Sequence, residues 1–122
     1  MMQVVAAVEA AALAASQPGV ALSAVYHAVA AAYAQAGFPG ECGRHHQGGT
    51  TGYLSREVVA TPTTQTQLED HTALAWNPSV PGAKIEDTVL GTGSQHEILT
   101  VDPDWPVVEI AGRRRPDILV RP

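Results

Sequence analysis

The chain contains 122 residues, enough for one domain with one hydrophobic core. Apolar residues make up 45% of the sequence and aromatic residues only 5%; much of the apolar share is alanine, so we expect a core that is thin for this chain length. The net charge of −5 argues against a nucleic-acid-binding protein, which needs a basic patch. One short basic cluster near the C-terminus is expected to form a solvated or interfacial turn: Arg113, Arg114 and Arg115.

Cysteine content and hydropathy predict a soluble cytoplasmic protein. Cys42 is the single cysteine, so no intramolecular disulfide can form, and this fits a reducing compartment. The alanine-rich N-terminal segment lacks the positive charges of a secretion signal, and Glu9 interrupts it. No stretch approaches the roughly 18 uncharged apolar residues of a membrane span.

Two helices are predicted in the N-terminal third. Residues 2–16 combine alanine, the best helix former, with apolar residues at helical spacing, namely Val4, Val8 and Ala11. Pro18 and Gly19 end this helix, because proline cannot continue it and glycine readily adopts the left-handed cap. Residues 22–36 predict a second helix, whose apolar stripe is Leu22, Val25, Val29, Ala32 and Ala36, with Tyr26 and Tyr33 alongside.

The remainder of the chain predicts loops and short strands. Residues 42–57 are rich in glycine and histidine, which suggests a tight loop shaped around a ligand or a neighbouring segment. Helices followed by an antiparallel sheet are typical of the α+β class. The expected strands are 58–61, 71–76, 84–90, 96–101 and 107–110, with a polar loop at 61–67 and turns at 77–79, 81–82 and 91–94.

Six short motifs occur in the order in which one known superfamily carries them. The segments at 17–20, 45–52, 52–57, 76–78, 85–90 and 97–100 are similar to its pG turn, HxxGHGxG loop, GLxxHE continuation, IEP turn, IEDTVLV strand and closing e.LT hairpin. The chain thus resembles the C-terminal half of the pita-bread superfamily, which contains Xaa-Pro aminopeptidase, prolidase, methionine aminopeptidase and creatinase. The resemblance implies one domain, residues 1–122, with two helices followed by a curved antiparallel sheet.

The same resemblance shows which metal ligands of the family this chain carries. The family holds two divalent metals with two aspartates, one histidine and two glutamates, and the metals activate a shared water. The family's histidine falls on Gly49, one glutamate falls on Asn77, and the other falls on Glu86, which is kept. The two aspartates belong to the family's N-terminal half, which this sequence does not include. Two further cleft histidines fall on His45, which is kept, and on Arg56, which cannot shuttle a proton.

These correspondences define a candidate cleft. His45 and Arg56 are the candidate catalytic residues, and Glu86 is the one expected metal ligand, which we expect to be unoccupied. Glu86 is predicted to be satisfied by a hydrogen bond from Arg56 or Asn77 instead. On the expected strand, Glu86 and Asp87 point to opposite faces, and the resemblance implies that Glu86 points into the cleft. No cofactor is expected, and manganese, cobalt or zinc would be needed only if the chain is an active hydrolase. Creatinase works without metal on this fold, but it has a glutamate in the IEP turn. The remaining residues expected to line the cleft are His46, Gly49, Asn77 and Glu57.

Other residues leave a chemical and a structural interpretation open. His45 and His46 are adjacent, so their side chains diverge and a polar loop role is favoured over shared metal binding. Cys42 is expected to be inert rather than part of a nucleophilic pair. The structural interpretation is also favoured for His27, for the solvated strand entry Glu69, Asp70 and His71, and for Trp76 and Trp105 as packing residues.

Three functions follow from these observations. The first is a pita-bread-type domain without metal-dependent peptidase activity, acting as a pseudo-enzyme or interaction protein. The second is an Xaa-Pro peptidase completed by a partner chain or a second copy. The third is a module that binds peptides or small molecules. A lone half exposes apolar surface, so we expect a symmetric homodimer, or a separate protein that supplies the N-terminal half.

Overall fold

A computed structural model describes residues 1–92, with the backbone alone at residue 92, and residues 95–121. The helices are α1 (Met2–Ala15) and α2 (Leu22–Gln35), followed by a single 3-10 turn at Glu41–Gly43. The strands are β1 (Gly48–Thr50), β2 (Val58–Val59), β3 (Ala73–Trp76), β4 (Ser79–Val80), β5 (Ala83–Lys84), β6 (Asp87–Thr92), β7 (Gln95–Ile98), β8 (Val107–Ile110) and β9 (Arg113–Pro116). The predicted α+β class and both predicted helices are confirmed.

The buried face of α1 differs from the predicted one. Val4 and Ala11 are only partly buried, whereas Val5, Val8 and Ala12 are fully enclosed. Alanine and valine surround this helix on most sides, so the sequence offers little contrast from which to choose a face. The fold therefore selects a face rotated by about one residue from the expected stripe.

Helix α2 buries Leu22, Val25 and Val29 as predicted, and its stripe ends at Tyr33, with Ala32 and Ala36 partly buried. The polar loop 61–67 docks against the beginning of α2. The amide of Leu22 donates to the carbonyl of Thr66 at 2.9 Å. This hydrogen bond satisfies one of the donors in the first turn of α2 that have no partner within the helix itself.

A five-stranded antiparallel sheet runs in the order β2-β1-β3-β6-β7. Its strand β1 was expected to be part of a loop. The strands β2 and β3, which flank β1, approach it so closely that the first two residues of its Gly-Gly-Thr sequence have no room for a side chain. A Cβ atom at Gly48 would lie 2.1 Å from the carbonyl oxygen of Ala75, and one at Gly49 would lie 2.0 Å from that of Val58. The glycines thus serve close backbone packing between two strands.

The predicted strand 84–90 is divided in two. Ala83–Lys84 pairs with Ser79–Val80 in a separate two-stranded hairpin, and Asp87–Thr92 enters the main sheet. The expected turn at 81–82 is confirmed and joins β4 to β5, whereas Ser79 of the turn expected at 77–79 belongs to β4. Glu86 lies at the junction between the two sheets and is exposed, whereas Asp87 is buried, as strand alternation predicted.

The strand predicted at 107–110 is confirmed as β8, and three other predicted strands are shorter than expected. The strand expected at 71–76 begins at Ala73, the one expected at 58–61 ends at Val59, and the one expected at 96–101 ends at Ile98. Gly93 and Ser94 of the expected turn lie outside the described residues.

The C-terminal arginine cluster is a strand and not the predicted turn. Arg113–Pro116 pairs with Val107–Ile110, and Arg115 is buried. Its Nε lies 2.7 Å from Oδ2 of Asp87 and 3.6 Å from Oε2 of Glu9. The buried carboxylate of Asp87 balances the charge of Arg115, which explains why this side chain can leave solvent.

The two tryptophans differ in their surroundings. Trp76 is 1% exposed, and its indole Nε1 donates to the hydroxyl of Ser16 at 3.0 Å, so its predicted packing role is confirmed. Trp105 is 43% exposed and lies outside the buried core. It lies in a separate region beyond the main sheet, where its indole donates to the carbonyl of Asp117.

Candidate functional site

The segment 42–47 is held in place by two buried polar side chains, Tyr33 and Gln47. The Tyr33 hydroxyl donates to Oε1 of Gln47 at 2.8 Å and accepts from the backbone amide of Ser79 at 2.9 Å. The Gln47 amide donates to the carbonyls of Cys42 and His45 at 3.3 and 3.1 Å. Burial raises the pKa of Tyr33 to about 12, so its hydroxyl stays protonated at neutral pH. This pair connects α2 to the loop and to β4.

His45 has a hydrogen-bond partner at each ring nitrogen. Its Nδ1 lies 2.6 Å from the carbonyl oxygen of His46, and its Nε2 lies 2.6 Å from the hydroxyl of Ser79. His45 is exposed, and Ser79 is half-buried. The adjacent residue His46 does not share these contacts, which agrees with the predicted divergence of the two rings. Burial and the nearby Arg56 guanidinium lower the pKa of His46.

Arg56 forms an ion pair with Glu86. Its Nη2 lies 2.7 Å from Oε1 of Glu86 and 3.4 Å from Oδ1 of Asn77. Lys84 lies 3.3 Å from the other carboxylate oxygen of Glu86. The hydrogen bond from Arg56 holds the pKa of Glu86 below its ordinary value. Of the two predicted partners of Glu86, Arg56 is the observed one. Asn77 contacts Arg56 instead, and Lys84 is a further partner.

Asn77 is held by hydrogen bonds from both its side-chain amide and its backbone amide. Its Nδ2 donates to the carbonyl of His46 at 3.1 Å, and its backbone amide donates to the carbonyl of Gln47 at 2.9 Å. Asn77 is 5% exposed. It therefore connects the end of β3 to the segment 42–47, which we call the histidine loop.

Gly49 and Glu57 complete the predicted cleft residues. Gly49 is buried within the main sheet. Glu57 is exposed, and its carboxylate accepts a hydrogen bond from the backbone amide of Leu54 at 3.0 Å. Glu57 thus caps the loop at 51–57.

The groove at this site is shallow and open to solvent. It encloses about 250 Å³ and is lined by His45, His46, Asn77, Ser79 and Lys84. Sequence analysis did not identify Ser79 or Lys84 as site residues. The only available signal was their position beside the Asn-Pro turn and beside Glu86. Their contacts depend on the β4–β5 hairpin, which the sequence did not predict.

Three further candidates lie elsewhere. Burial raises the pKa of the Cys42 thiol, opposite to the change that would activate it. His71 and Asp70 are exposed in a turn, with 3.6 Å between His71 Nε2 and Asp70 Oδ2. His27 is exposed on α2. Each of these placements agrees with the structural interpretation.

Residues 1–92 and 95–121 contain neither a cluster of metal-binding side chains nor a helix that could cross a membrane. Within those ranges, no three His, Cys, Asp or Glu side chains are grouped so as to hold a metal ion. The helices in those ranges, each of 14 residues, lack the length and hydropathy for crossing a membrane.

No protein-family model matches the sequence, and no curated protein is similar to it at the sequence level. Solved structures do match. A dipeptidase from Pyrococcus horikoshii OT3 has 22% identity and a TM-score of 0.70, with 82% of this chain and 30% of that chain covered. Prolidase from Pyrococcus furiosus has 20% identity and a TM-score of 0.71, with 83% and 32% covered. A dipeptidase from Mycobacterium ulcerans has 25% identity and a TM-score of 0.70, with 84% and 29% covered.

The comparison confirms the predicted fold. The chain spans about 30% of the length of the structures that it matches. Its two helices and antiparallel sheet correspond to part of the pita-bread fold of prolidases and Xaa-Pro dipeptidases.

Proposed function

We propose that this chain is a pita-bread-type domain without dinuclear-metal peptidase activity, and that it acts through binding or assembly. One observation carries the proposal, namely the 2.7 Å ion pair between Arg56 and Glu86. Glu86 is the one family metal ligand that the sequence keeps. An arginine cation supplies the positive charge that a metal would otherwise provide at this carboxylate.

The electrostatics of the cleft oppose a divalent ion. Glu86 carries one negative charge, and it faces the two positive charges of Arg56 and Lys84. A further cation 4 Å from one of them would be repelled by about 4 kcal/mol per unit charge at an effective dielectric constant near 20. Metal binding would therefore require Arg56 to leave the carboxylate.

Two other positions also do not fit the metal pair. Gly49 cannot be exchanged for the family's histidine without moving β2, because its Cβ would lie 2.0 Å from the carbonyl oxygen of Val58. Asn77 supplies a neutral amide where a bridging carboxylate is required, and that amide already holds the histidine loop.

Calorimetric titration with manganese, cobalt and zinc, together with hydrolysis of an Xaa-Pro dipeptide, tests this proposal. We expect neither saturable binding to the cleft nor turnover. Arg56→Ala, which removes the arginine and leaves only Lys84 beside Glu86, is compared with Arg44→Ala, which removes an exposed arginine paired with Glu41. Two equivalents of metal bound by the wild type, together with dipeptide cleavage, would refute the proposal.

A ligand-binding role for the groove is the second candidate. The groove presents the Lys84 ammonium group beside the histidine pair, which favours a small anionic ligand or a peptide carboxylate. A thermal-shift screen with proline-containing peptides tests this role. A transition temperature that no peptide raises counts against it.

We also propose that the chain forms a homodimer in the cytoplasm. Large apolar side chains are exposed, with Tyr53 fully exposed and Leu54, Ile118 and Val120 more than half exposed. Light scattering should give twice the 12.7 kDa mass of the chain. A monodisperse monomer at micromolar concentration would refute this assembly.

A further inference from the structure

We propose that Ser79 and His45 form a nucleophile–base pair that accepts the acyl group of small carboxylic esters. This activity requires no metal and goes beyond the binding role proposed above.

The hydrogen bonds of His45 determine its tautomer. The carbonyl oxygen of His46, 2.6 Å from Nδ1, can only accept a hydrogen bond, so Nδ1 must carry a proton. In a neutral imidazole the lone pair then lies on Nε2. The hydroxyl of Ser79, 2.6 Å from Nε2, must therefore donate its proton toward that lone pair.

This is the arrangement of an activated serine. A hydroxyl is a weak nucleophile unless an adjacent base takes its proton, and the base is effective when a third group fixes its orientation. Here the His46 carbonyl orients the ring, in the role that a carboxylate takes in the Ser-His-Asp triad.

Both members of the pair are positioned by the same buried side chains. Tyr33 accepts a hydrogen bond from the amide of Ser79 at 2.9 Å and donates to Gln47 at 2.8 Å. Gln47 in turn donates to the carbonyl of His45 at 3.1 Å. Tyr33 is fully buried and Gln47 is 1% exposed, so they give the pair a rigid support. A surface serine–histidine contact formed by chance would have no such shared support.

The groove defines the substrate class. Its volume of about 250 Å³ admits a short acyl group and leaves the alcohol portion in solvent. Lys84 lines the same groove and pairs with Ser79 across the β4–β5 hairpin. Its ammonium group, 3.3 Å from Glu86 and half exposed, can turn to the carbonyl oxygen as that oxygen becomes negative. The expected substrates are therefore unhindered esters of short acids.

The reaction has two balanced steps. The Ser79 oxygen attacks the ester carbonyl, its proton passes to Nε2 of His45, and the carbon–alkoxide bond breaks as that proton moves to the leaving alcohol. Water then attacks the acyl-serine with His45 again accepting the proton, which releases the acid and restores the serine hydroxyl. No oxidant, reductant or further reactant is needed.

The test uses p-nitrophenyl acetate with the full chain. Nitrophenolate release is followed by absorbance, and acid-quenched samples are analysed by peptide mass mapping for an acetyl group on Ser79. Ser79→Ala should abolish the release that exceeds the buffer rate, and His45→Gln should lower it by about 100-fold, which is typical of losing a general base. Ser79→Ala keeps the backbone contacts with Tyr33, so circular dichroism should show the wild-type fold.

Ser55→Ala and His27→Gln are the matched controls, because Ser55 and His27 are exposed and do not line the groove. Both variants should behave as the wild type does. The proposal is overturned by nitrophenolate release that neither Ser79→Ala nor His45→Gln lowers, by a rate equal to that of buffer, or by Ser79 acetylation that is unchanged in His45→Gln.

Discussion

Replacing Glu9 with glutamine is expected to remove a pH dependence of folding stability that the buried acidic cluster creates. Glu9 is 4% exposed and lies 3.6 Å from Nε of Arg115. Nε and Nη2 of Arg115 donate to Oδ2 and Oδ1 of Asp87 at 2.7 and 3.4 Å, so one arginine is shared by two acidic side chains. Burial, and after it the charge of Asp87, raises the pKa of Glu9 from 4.5 to about 8.

The sign of the effect follows from this direction. Because the pKa of Glu9 is higher in the folded chain than in the unfolded chain, the folded state retains a proton that the unfolded state has released. The associated stabilisation is complete below pH 4.5 and is lost as the pH rises through about 8. The free energy of unfolding falls by at most about 1.4 kcal/mol per pH unit inside this window. Between pH 6 and pH 8 we therefore expect a loss of roughly 2 kcal/mol.

Urea unfolding followed by circular dichroism, at several values between pH 5 and pH 9, measures this loss. Burial lowers the pKa values of His46 and His96, so these two groups add stability as the pH rises toward 6.5. The difference between wild type and Glu9→Gln cancels their contribution. Glu97→Gln, an exposed carboxylate on β7, is the matched control and should follow the wild type. A Glu9→Gln variant whose stability declines in parallel with the wild type above pH 6 would refute the reasoning.

Three other substitutions test the packing around the site. Gly49→Ala should cost more than about 3 kcal/mol or prevent folding, because the new Cβ would meet the carbonyl oxygen of Val58 at 2.0 Å; urea unfolding or the soluble yield shows the loss. Tyr33→Phe should lower the free energy of unfolding by about 1–3 kcal/mol, because Oε1 of Gln47 and the backbone amide of Ser79 lose their hydrogen-bond partner; urea unfolding measures the loss. Arg56→Ala should cost less than about 1 kcal/mol at pH 7, because the side chain of Glu86 is 40% exposed. The hydrogen bond from Arg56 lowers the pKa of Glu86, so the stabilisation from this ion pair is present above pH 4.5 and disappears on acidification. Urea unfolding at decreasing pH should therefore show the free energies of unfolding of the wild type and Arg56→Ala converging.

Local signals in the sequence predicted the helices well. Pro18 and Gly19 mark the end of α1, and alanine content with apolar spacing marks both helices. Strand alternation also placed Glu86 and Asp87 on opposite sides, which the structure confirms with one exposed and one buried. These features depend on residues close in sequence, so one chain is enough to predict them.

Features that depend on distant neighbours were missed. Gly48 and Gly49 are typical of a loop, and only the proximity of Ala75 and Val58 shows that a strand without side chains is needed there. Arg115 belongs to a charge run, which normally indicates a solvated segment. Its burial becomes understandable only when α1 and β6 bring their carboxylates to it.

In the candidate site, too, contacts with a sequence signal were predicted and contacts between distant residues without one were missed. The ion pair between Glu86 and Arg56 was predicted because the family motifs relate the two positions, although they are 30 residues apart. No motif relates His45 to Ser79, which lie 34 residues apart, or Tyr33 to Ser79, which lie 46 residues apart. Those contacts arise from the β4–β5 hairpin, whose strands have two residues each and give almost no periodic signal.

Arg56, Lys84 and Asn77 form one consistent electrostatic arrangement around Glu86. A lone carboxylate at Glu86 without metal would repel other acidic groups and attract adventitious cations, and Arg56 together with Lys84 neutralises it. A glutamate at Asn77 would restore negative charge beside Glu86 and would lose the amide donor that holds the His46 carbonyl. That carbonyl is the group that orients His45 toward Ser79. The amide of Asn77 therefore supports the hydrogen bonds of the histidine loop, whereas Arg56 and Lys84 balance the charge of Glu86.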